Sequence, residues 1–328
     1  MKQFKNNIFF SLLLIFTIIC SKKSFGDAKQ AIESILATDE NNLQFSCTYE
    51  VDSLPSFTSE SETIFKEMRA LQIEHQYSSK ADETLVAGYR KAAKLGHVKA
   101  MINLQNMLVD GLGTPNAGMT HSEEALYWVE QLIKLDIGSG YYQMGYFLST
   151  GFMVEQDEIK GLKFYRRAAD LGNKEAQAML GDIFSSLRLI TYDLQGIQNP
   201  AYRPEIGKSM LECAAVQGHQ EAAGRLGYLY SEDKNYDESI KAYQIGARHG
   251  DEASIRALIY GFSITDPKDA FYLGQDTIDV ERLNRYKSIK NKLNSDANFK
   301  FPDINKIVPL PPNELPKWDG TFEYDKTL

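Results

Sequence analysis

The chain has 328 residues, of which 43% are hydrophobic and 24% are charged. This composition is typical of a folded protein and unlike that of a disordered or fibrous chain. The formal net charge is −8. An excess of carboxylates repels the phosphate backbone, so the composition argues against nucleic acid as a partner.

The first 26 residues have the pattern of an export signal. Lys2 and Lys5 precede an apolar run from Ile8 to Cys20, and the small residue Gly26 stands where a signal peptidase cleaves. The run is shorter than the roughly 20 residues that a membrane-spanning helix needs. We therefore predict cleavage after Gly26 and a soluble periplasmic protein without an integral membrane segment. Lipidation at Cys20 is the alternative.

Removal of this signal makes the chain more acidic and leaves two cysteines. It deletes four lysines and no acidic residue, so 32 basic and 44 acidic residues leave a formal charge of −12. An oxidising compartment permits a disulfide between Cys47 and Cys213 if their Cα atoms lie within about 7 Å. The sequence does not supply this distance. Because free cysteines are commonly buried, we expect two buried single cysteines.

A short motif recurs along the chain and predicts a repeat architecture. The segment from Tyr89 to Gly96 recurs closely from Tyr165 to Gly172, with Arg and a pair of alanines at matching places. Looser copies end at Gly218 and Gly250, and Asp136 stands in the same register. We call Gly96, Asp136, Gly172, Gly218 and Gly250 the anchors, and we number positions in each repeat from its anchor.

The residues after each anchor keep to one face of a helix. Position +4 is small in every repeat: Ala100, Gly140, Ala176, Ala222 and Ser254. Positions +8 and +12 are large and apolar throughout. Because a helix turns every 3.6 residues, these positions share one face. Each anchor therefore precedes a second helix, and the small residues around it predict two closely packed antiparallel helices.

These features resemble the Sel1-like repeats, whose units run Ala-Ala-x-x-Gly, three residues, Ala, then Leu-Gly and a closing aromatic residue. Leu180-Gly181, Leu226-Gly227 and Met144-Gly145 match the Leu-Gly step. The spacing between consecutive anchors varies from 32 to 46 residues. This variation argues against the alternative family, the tetratricopeptide repeat, which has a regular period of about 34 residues. The resemblance implies an all-α solenoid of stacked antiparallel helix hairpins.

The repeats suggest a division of the chain into four parts. We expect a signal peptide over residues 1–26, a helical N-terminal flank over 27–80, about five hairpins over 81–264, and C-terminal helices with a Pro-rich extended tail over 265–328. Asp266-Pro267 is typical of a helix start. The tail could be a free peptide for a partner's groove. Because a terminal repeat needs its open face covered, we expect it to form a cap with Trp318 buried.

No constellation of catalytic or metal-binding residues emerges from the sequence. Ser139 lies between two glycines, but Ile137 breaks the Gly-x-Ser-x-Gly nucleophile elbow. His97, His219 and His249 lie beside anchors of different repeats and lack a second ligand at zinc-binding spacing. We predict solvated turn histidines, no catalysis, no cofactor and no metal site.

One face of the first helices is rich in basic residues. Positions −6, −5 and −2 lie off the packing stripe, and in Sel1-like proteins these helices tend to line the concave side. They hold Arg90, Lys91, Lys94, Lys134, Arg166, Arg167 and Arg248, against Glu130, Asp170 and Glu212. Two interpretations fit this pattern equally well. Basic residues are favoured near helix C-termini on any solvated face, and they would also suit a binding site for an acidic protein surface. Tyr192 and Tyr202, in an insertion over 185–204, are competing aromatic anchors.

The flanks carry a further resemblance. Phe45 to Asp52, Asn103 to Asn106, and Phe301 to Phe322 look like a subgroup of Sel1-like proteins exported by Gram-negative bacteria, some encoded beside type VI secretion lipase effectors. This implies an immunity protein that binds and neutralises a phospholipase-type effector. The alternative is a periplasmic adaptor or scaffold in envelope signalling or complex assembly.

Overall fold

The computed structural model describes residues 44–75, 78–189, 197–199 and 201–323. The predicted export signal and its cleavage site lie outside the described residues, as does Tyr192. The chain divides into two compact units, residues 1–176 with 187–202 and residues 177–186 with 203–328.

The first unit is a succession of antiparallel helices, each packed on the next. Its helices are α1 (Ser59–Glu74), α2 (Asp82–Lys94), α3 (Val98–Val109), α4 (His121–Lys134), α5 (Gly138–Thr150) and α6 (Glu158–Asp170), with short 3-10 helices at Glu50–Ser53 and Ser79–Ala81. The residues of helix α7 (Lys174–Ser185) are divided between the two units. Two-residue strands β1 (Arg188–Leu189) and β2 (Ile197–Gln198) pair antiparallel.

The second unit continues the pattern with α8 (Pro204–Val216), α9 (Gln220–Glu232), α10 (Tyr236–Arg248), α11 (Glu252–Gly261), α12 (Val280–Ser295) and α13 (Ile304–Ile307). Consecutive helices from α8 to α12 pack on one another, and α13 packs on α10. The predicted all-α solenoid of antiparallel hairpins is therefore confirmed. The helix expected near Pro267 is wrong, because the chain stays irregular until Asp279 caps α12.

Every anchor adopts the left-handed backbone conformation. The φ angles are +84° at Gly96, +89° at Gly172, +88° at Gly218 and +79° at Gly250. Asp136 reaches +57° without being glycine, and its carboxylate accepts a hydrogen bond from the Tyr141 hydroxyl at 3.0 Å. Aspartate tolerates this conformation better than most side chains, which explains why it can replace glycine in the second hairpin.

The residue after the anchor caps the second helix in most hairpins. His97 Nδ1, Asn173 Oδ1, His219 Nδ1 and Asp251 Oδ2 each accept a hydrogen bond from the backbone N–H three residues later. His97 is fully buried, and its ring stacks on Phe57 and Phe65 at centroid distances of 4.1 and 4.4 Å. The prediction of a solvated histidine is wrong here, because the imidazole doubles as a helix cap and a core side chain.

The small residues at position +4 lie where two helix backbones approach. All five are buried. A Cβ atom added at Gly140 would lie 2.6 Å from Leu132 Cβ and 2.9 Å from Ile133 N. The second hairpin has large residues at −4 and −3, Leu132 and Ile133, where the others have small ones. Because Gly140 at +4 has no side chain, it leaves room for Leu132 and Ile133.

The C-terminal tail covers the end of the second unit. Phe299, Phe301, Ile304, Val308 and Phe322 are buried in one core cluster with residues of α10, α11 and α12. On α12, the Arg285 guanidinium donates to the carbonyls of Ile307 and Pro316 at 2.6 and 2.7 Å. The prediction of a cap is confirmed. Trp318 is only half-buried, with its indole N–H donating to Thr321 O at 2.8 Å.

The cysteines differ from expectation. Cys47 is exposed and Cys213 is buried, and both are disulfide-bonded. The prediction of two buried single cysteines is therefore wrong. The N-terminal segment that carries Cys47 packs on residues more than a hundred positions later in the chain, and the local sequence pattern does not indicate this contact.

Candidate partner-binding surface

The predicted basic residues on the first helices separate into buried and exposed groups. The Arg90 side chain is 14% exposed and that of Arg166 only 7%. Lys91, Lys94, Lys134 and Arg167 are exposed. The expectation that all of these side chains point away from the packed face is wrong for Arg90 and Arg166, since both serve contacts within the first unit.

Arg90 lies in a buried ion pair between α2 and α4. Its Nε and Nη2 donate to the two carboxylate oxygens of Glu124 at 2.6 and 2.9 Å. The backbone N–H of Asn116 and the Trp128 indole N–H donate to the same carboxylate at 2.7 and 3.2 Å. Burial opposes ionisation of Glu124, but these donors outweigh it and lower the pKa of the carboxyl group. Arg90 therefore holds the first two hairpins together.

We expect Glu124→Gln to destabilise the first unit by about 1–3 kcal/mol at neutral pH, because charged hydrogen bonds are lost in a buried site. A carboxyl whose folded pKa is lowered stabilises the fold above its unfolded pKa, and this contribution disappears as the pH falls through the folded pKa. Urea unfolding from about pH 6 to about pH 3 should therefore show a smaller loss of stability in the variant than in the wild type. Equal losses would mean that Glu124 does not titrate differently on folding.

Arg166 is covered by the segment that precedes α1. We call residues 44–53 the N-terminal strap. Arg166 Nη2 donates to Gln44 O at 3.1 Å, and its Nε donates to both carboxylate oxygens of Asp170 at 3.0 Å. Farther along, Thr48 Oγ1 donates to Asp170 O at 3.0 Å and Glu50 N donates to Gly172 O at 3.2 Å. The strap therefore occupies the C-terminal end of α6.

Glu50 of the strap caps a helix that lacks its own cap. Ile137 precedes α5 and offers no side-chain acceptor. The Glu50 carboxylate instead accepts from the backbone N–H and the hydroxyl of Ser139 at 2.6 and 2.9 Å, and from Asn173 Nδ2 at 3.3 Å. An anionic group at a helix N-terminus is stabilised by the unpaired amides and the helix dipole. This contact explains the Gly-Ser-Gly sequence as a docking point for the strap.

The exposed part of the first helices remains basic in the first unit. We define the basic face as the six exposed cationic side chains on α2, α4 and α6: Lys91, Lys94, Lys134, Lys160, Lys163 and Arg167. Exposed acidic residues on the same helices are Glu83, Glu123 and Glu130. Tyr127 on α4 is 45% exposed and supplies an aromatic side chain. A surface of this composition suits an acidic protein partner.

Arg167 is partly engaged by the second hairpin. Its Nη2 lies 2.6 Å from Asp136 Oδ2, and its guanidinium lies 5.9 Å from the centroid of the Tyr141 ring. The hydrogen bond from Arg167 lowers the pKa of Asp136. Both side chains are about half exposed, 49% and 53%, so solvent screens the pair and a partner carboxylate can compete for it.

The other predicted site residues lie elsewhere. Arg248 belongs to the second unit, is half-buried, and has its carbonyl bonded to Phe301 N at 2.9 Å. Tyr202 belongs to the first unit and is half-buried. Tyr192 lies outside the described residues. Arg248 is therefore not part of the basic face, which is defined on helices of the first unit.

Sequence reasoning missed two residues of the basic face, Lys160 and Lys163, and the exposed Tyr127. Position −9 is exposed in all five hairpins: Ala87, Tyr127, Lys163, Ser209 and Lys241. The signal was available for Lys163 and Tyr127, because positions −9, −5 and −2 follow helical spacing on one face. At position −6, by contrast, the side chains of Arg90 and Arg166 are largely buried against neighbouring parts of the first unit.

No group of three or more His, Cys, Asp or Glu side chains among the described residues could hold a metal ion. No helix among them is long and apolar enough to cross a bilayer.

Sequence models of known families match four segments of the chain. The Sel1 repeat model matches residues 89–97, 138–173 and 220–251. A second model, described as a domain of unknown function (DUF6396), matches residues 254–328. Among curated proteins, protein sel-1 homolog 2 of Homo sapiens is 28% identical over 149 residues, which are 45% of this chain and 20% of that protein. The chain thus spans about a fifth of that relative.

Three solved structures from Pseudomonas aeruginosa are similar over 82% of this chain. Immunity protein Pa5087 is 27% identical with a TM-score of 0.57, and 96% of it is covered. Immunity protein PA5088 is 26% identical with a TM-score of 0.61, and 95% of it is covered. PA5086 is 28% identical with a TM-score of 0.57, and 95% of it is covered. With its matching repeats, left-handed anchors and stacked hairpins, the chain contains Sel1 repeats in a fold similar to that of these structures.

Proposed function

We propose that this protein is a periplasmic immunity protein that binds and neutralises a phospholipase-type effector of type VI secretion. One observation carries the proposal: two proteins named as immunity proteins share 26–27% identity with this chain along nearly their whole length. Because the similarity includes the flanks as well as the repeats, it is more than a shared repeat type.

The first unit offers a surface for this role. The basic face and Tyr127 are exposed on consecutive helix hairpins, and stacked hairpins present equivalent helices to the same side. Exposed basic side chains and an exposed aromatic residue on the same set of helices suit an acidic protein surface, where charge accelerates association and the aromatic ring supplies contact area. A binding protein of this kind inhibits by covering its target and needs no catalytic group.

The test combines protection and binding. The probes are the phospholipase-type effectors of the genome that carries this gene. A sensitive bacterial host that exports the matching effector into its periplasm should survive when this protein is co-exported and lyse without it. In a binding titration, Lys134→Glu with Lys163→Glu should slow association about tenfold at low salt and weaken its salt dependence. The matched control is Lys80→Glu with Lys99→Glu, which makes the same charge change at exposed lysines outside the first helices.

The outcomes separate the function from the surface. No binding and no protection by the wild type would refute the immunity function and favour an adaptor role. Binding that both double variants weaken equally would refute the basic face while leaving the immunity function in place.

A further inference from the structure

An ordered loop in the second unit displays apolar side chains. The chain from Phe262 to Asp279 connects α11 to α12 without regular secondary structure. Leu273 anchors it in the core with 4% exposure, and Asp279 N donates to Phe262 O at 3.2 Å. The Tyr272 ring also meets Tyr236 of α10 edge-on at 5.2 Å. Irregular connections of this length are uncommon in compact domains and are usually functional.

The loop extends an exposed apolar surface of the second helices. Phe271, Ile278 and Val280 are 54%, 53% and 60% exposed. The Phe271 ring lies 5.1 Å from that of Tyr260 on α11, which is 46% exposed. Tyr228 on α9, 47% exposed, occupies position +10 as Tyr260 does, in the adjacent hairpin. We call these five residues the aromatic patch. Clusters of exposed large apolar side chains mark interaction sites.

The segment that carries Phe271, Ile278 and Val280 forms an acidic rim on one side of the aromatic patch. The exposed charged residues from Ile264 to Glu281 are Asp266, Asp269, Asp276 and Glu281, against Lys268. An anionic membrane surface would be repelled by this rim. A protein surface with lysines or arginines around an apolar centre would be attracted to it, and the apolar centre would bury the aromatic rings.

We propose that the aromatic patch is a docking surface for a basic protein partner. It differs in charge from the basic face of the first unit, so the two surfaces select different chemistry. Rigid anchoring through Leu273 keeps the apolar side chains exposed before binding, which reduces the entropy lost on association. The proposal does not rest on the immunity function.

The experiment places a photo-crosslinker on the patch. The variant Phe271→p-benzoylphenylalanine is produced in the bacterium that carries the gene and irradiated, and the crosslinked peptides are identified by mass spectrometry. A matched crosslinker at Val216, an apolar side chain on α8 that is 52% exposed and belongs to neither proposed surface, controls for nonspecific capture. We expect the adduct at position 271 to contain a peptide of another protein with an excess of lysine and arginine.

Charge reversal then tests the rim. Asp276→Lys should reduce the yield of the adduct about threefold, because it replaces attraction by repulsion. Glu212→Lys makes the same charge change on α8 of the second unit and should leave the yield unchanged. Both positions are exposed, so melting midpoints should stay the same.

The proposal is overturned by the absence of an adduct, by an adduct with lipid or with a second copy of this chain, or by equal effects of the two charge reversals. None of these outcomes bears on effector binding by the first unit. Conversely, failure of the protection experiment leaves the aromatic patch as a docking surface.

Discussion

Arg166→Glu is expected to destabilise the first unit by about 3 kcal/mol, because it buries a charge of the wrong sign beside Asp170. Arg167→Glu, one residue later, is expected to cost about 0–1 kcal/mol. The two side chains differ in exposure, 7% against 49%, although the sequence places both near the same helix end. The measurement is urea unfolding of each variant beside the wild type.

A local readout identifies the cause. Arg166 Nη2 holds Gln44 O of the N-terminal strap, so Arg166→Glu should also increase amide hydrogen exchange over residues 44–53. Cys47 is disulfide-bonded, so the strap stays covalently attached while its hydrogen bonds open. Equal destabilisation by both variants, with unchanged exchange in the strap, would contradict the assignment of Arg166 as the residue that docks the strap.

Gly172→Ala is expected to destabilise the fold by about 2–4 kcal/mol, through two additive causes. An alanine in the left-handed conformation costs about 1 kcal/mol. In addition, the new Cβ would lie 2.3 Å from Glu50 N and 2.5 Å from Tyr49 C, both backbone atoms of the strap. The strap must therefore move away, and Glu50 would withdraw its carboxylate from Ser139 at the start of α5.

Gly96→Ala is the matched control. Gly96 has nearly the same φ, +84° against +89°, but a Cβ there meets no atom within 4 Å. This variant should cost only the conformational term of about 1 kcal/mol. Thermal melting and urea unfolding of both variants measure the difference. If both lose the same stability, the strap is not packed on Gly172 in solution.

The repeat pattern in the sequence determined the fold class and the register. Anchors, small residues at +4 and apolar residues at +8 and +12 depend only on local helix geometry, so spacing alone identified them. Even Asp136, the departure from glycine, was placed correctly, because the residues around it kept their periodicity. The Pro-rich tail was predicted as a cap because a terminal hairpin must cover its open face.

The candidate surface was predicted only in part, because exposure depends on what packs against a helix. Lys91, Lys94, Lys134 and Arg167 are exposed as expected, whereas Arg90 and Arg166 are not. No spacing rule along α6 indicates that a segment more than a hundred residues earlier covers Arg166.

Tertiary structure alone decided the places of the N-terminal strap, the disulfide-bonded cysteines and the ordered loop after α11. Each depends on contacts between residues far apart in sequence, whose formation reflects the summed packing of the unit and leaves no periodic signal. His97 shows the same limit at one residue: its position beside an anchor was evident, but its burial between Phe57 and Phe65 was not. Local periodicity can be recognised in the sequence because helix geometry imposes it. Long-range docking depends on the shape and charge of surfaces that form only when the helices have stacked.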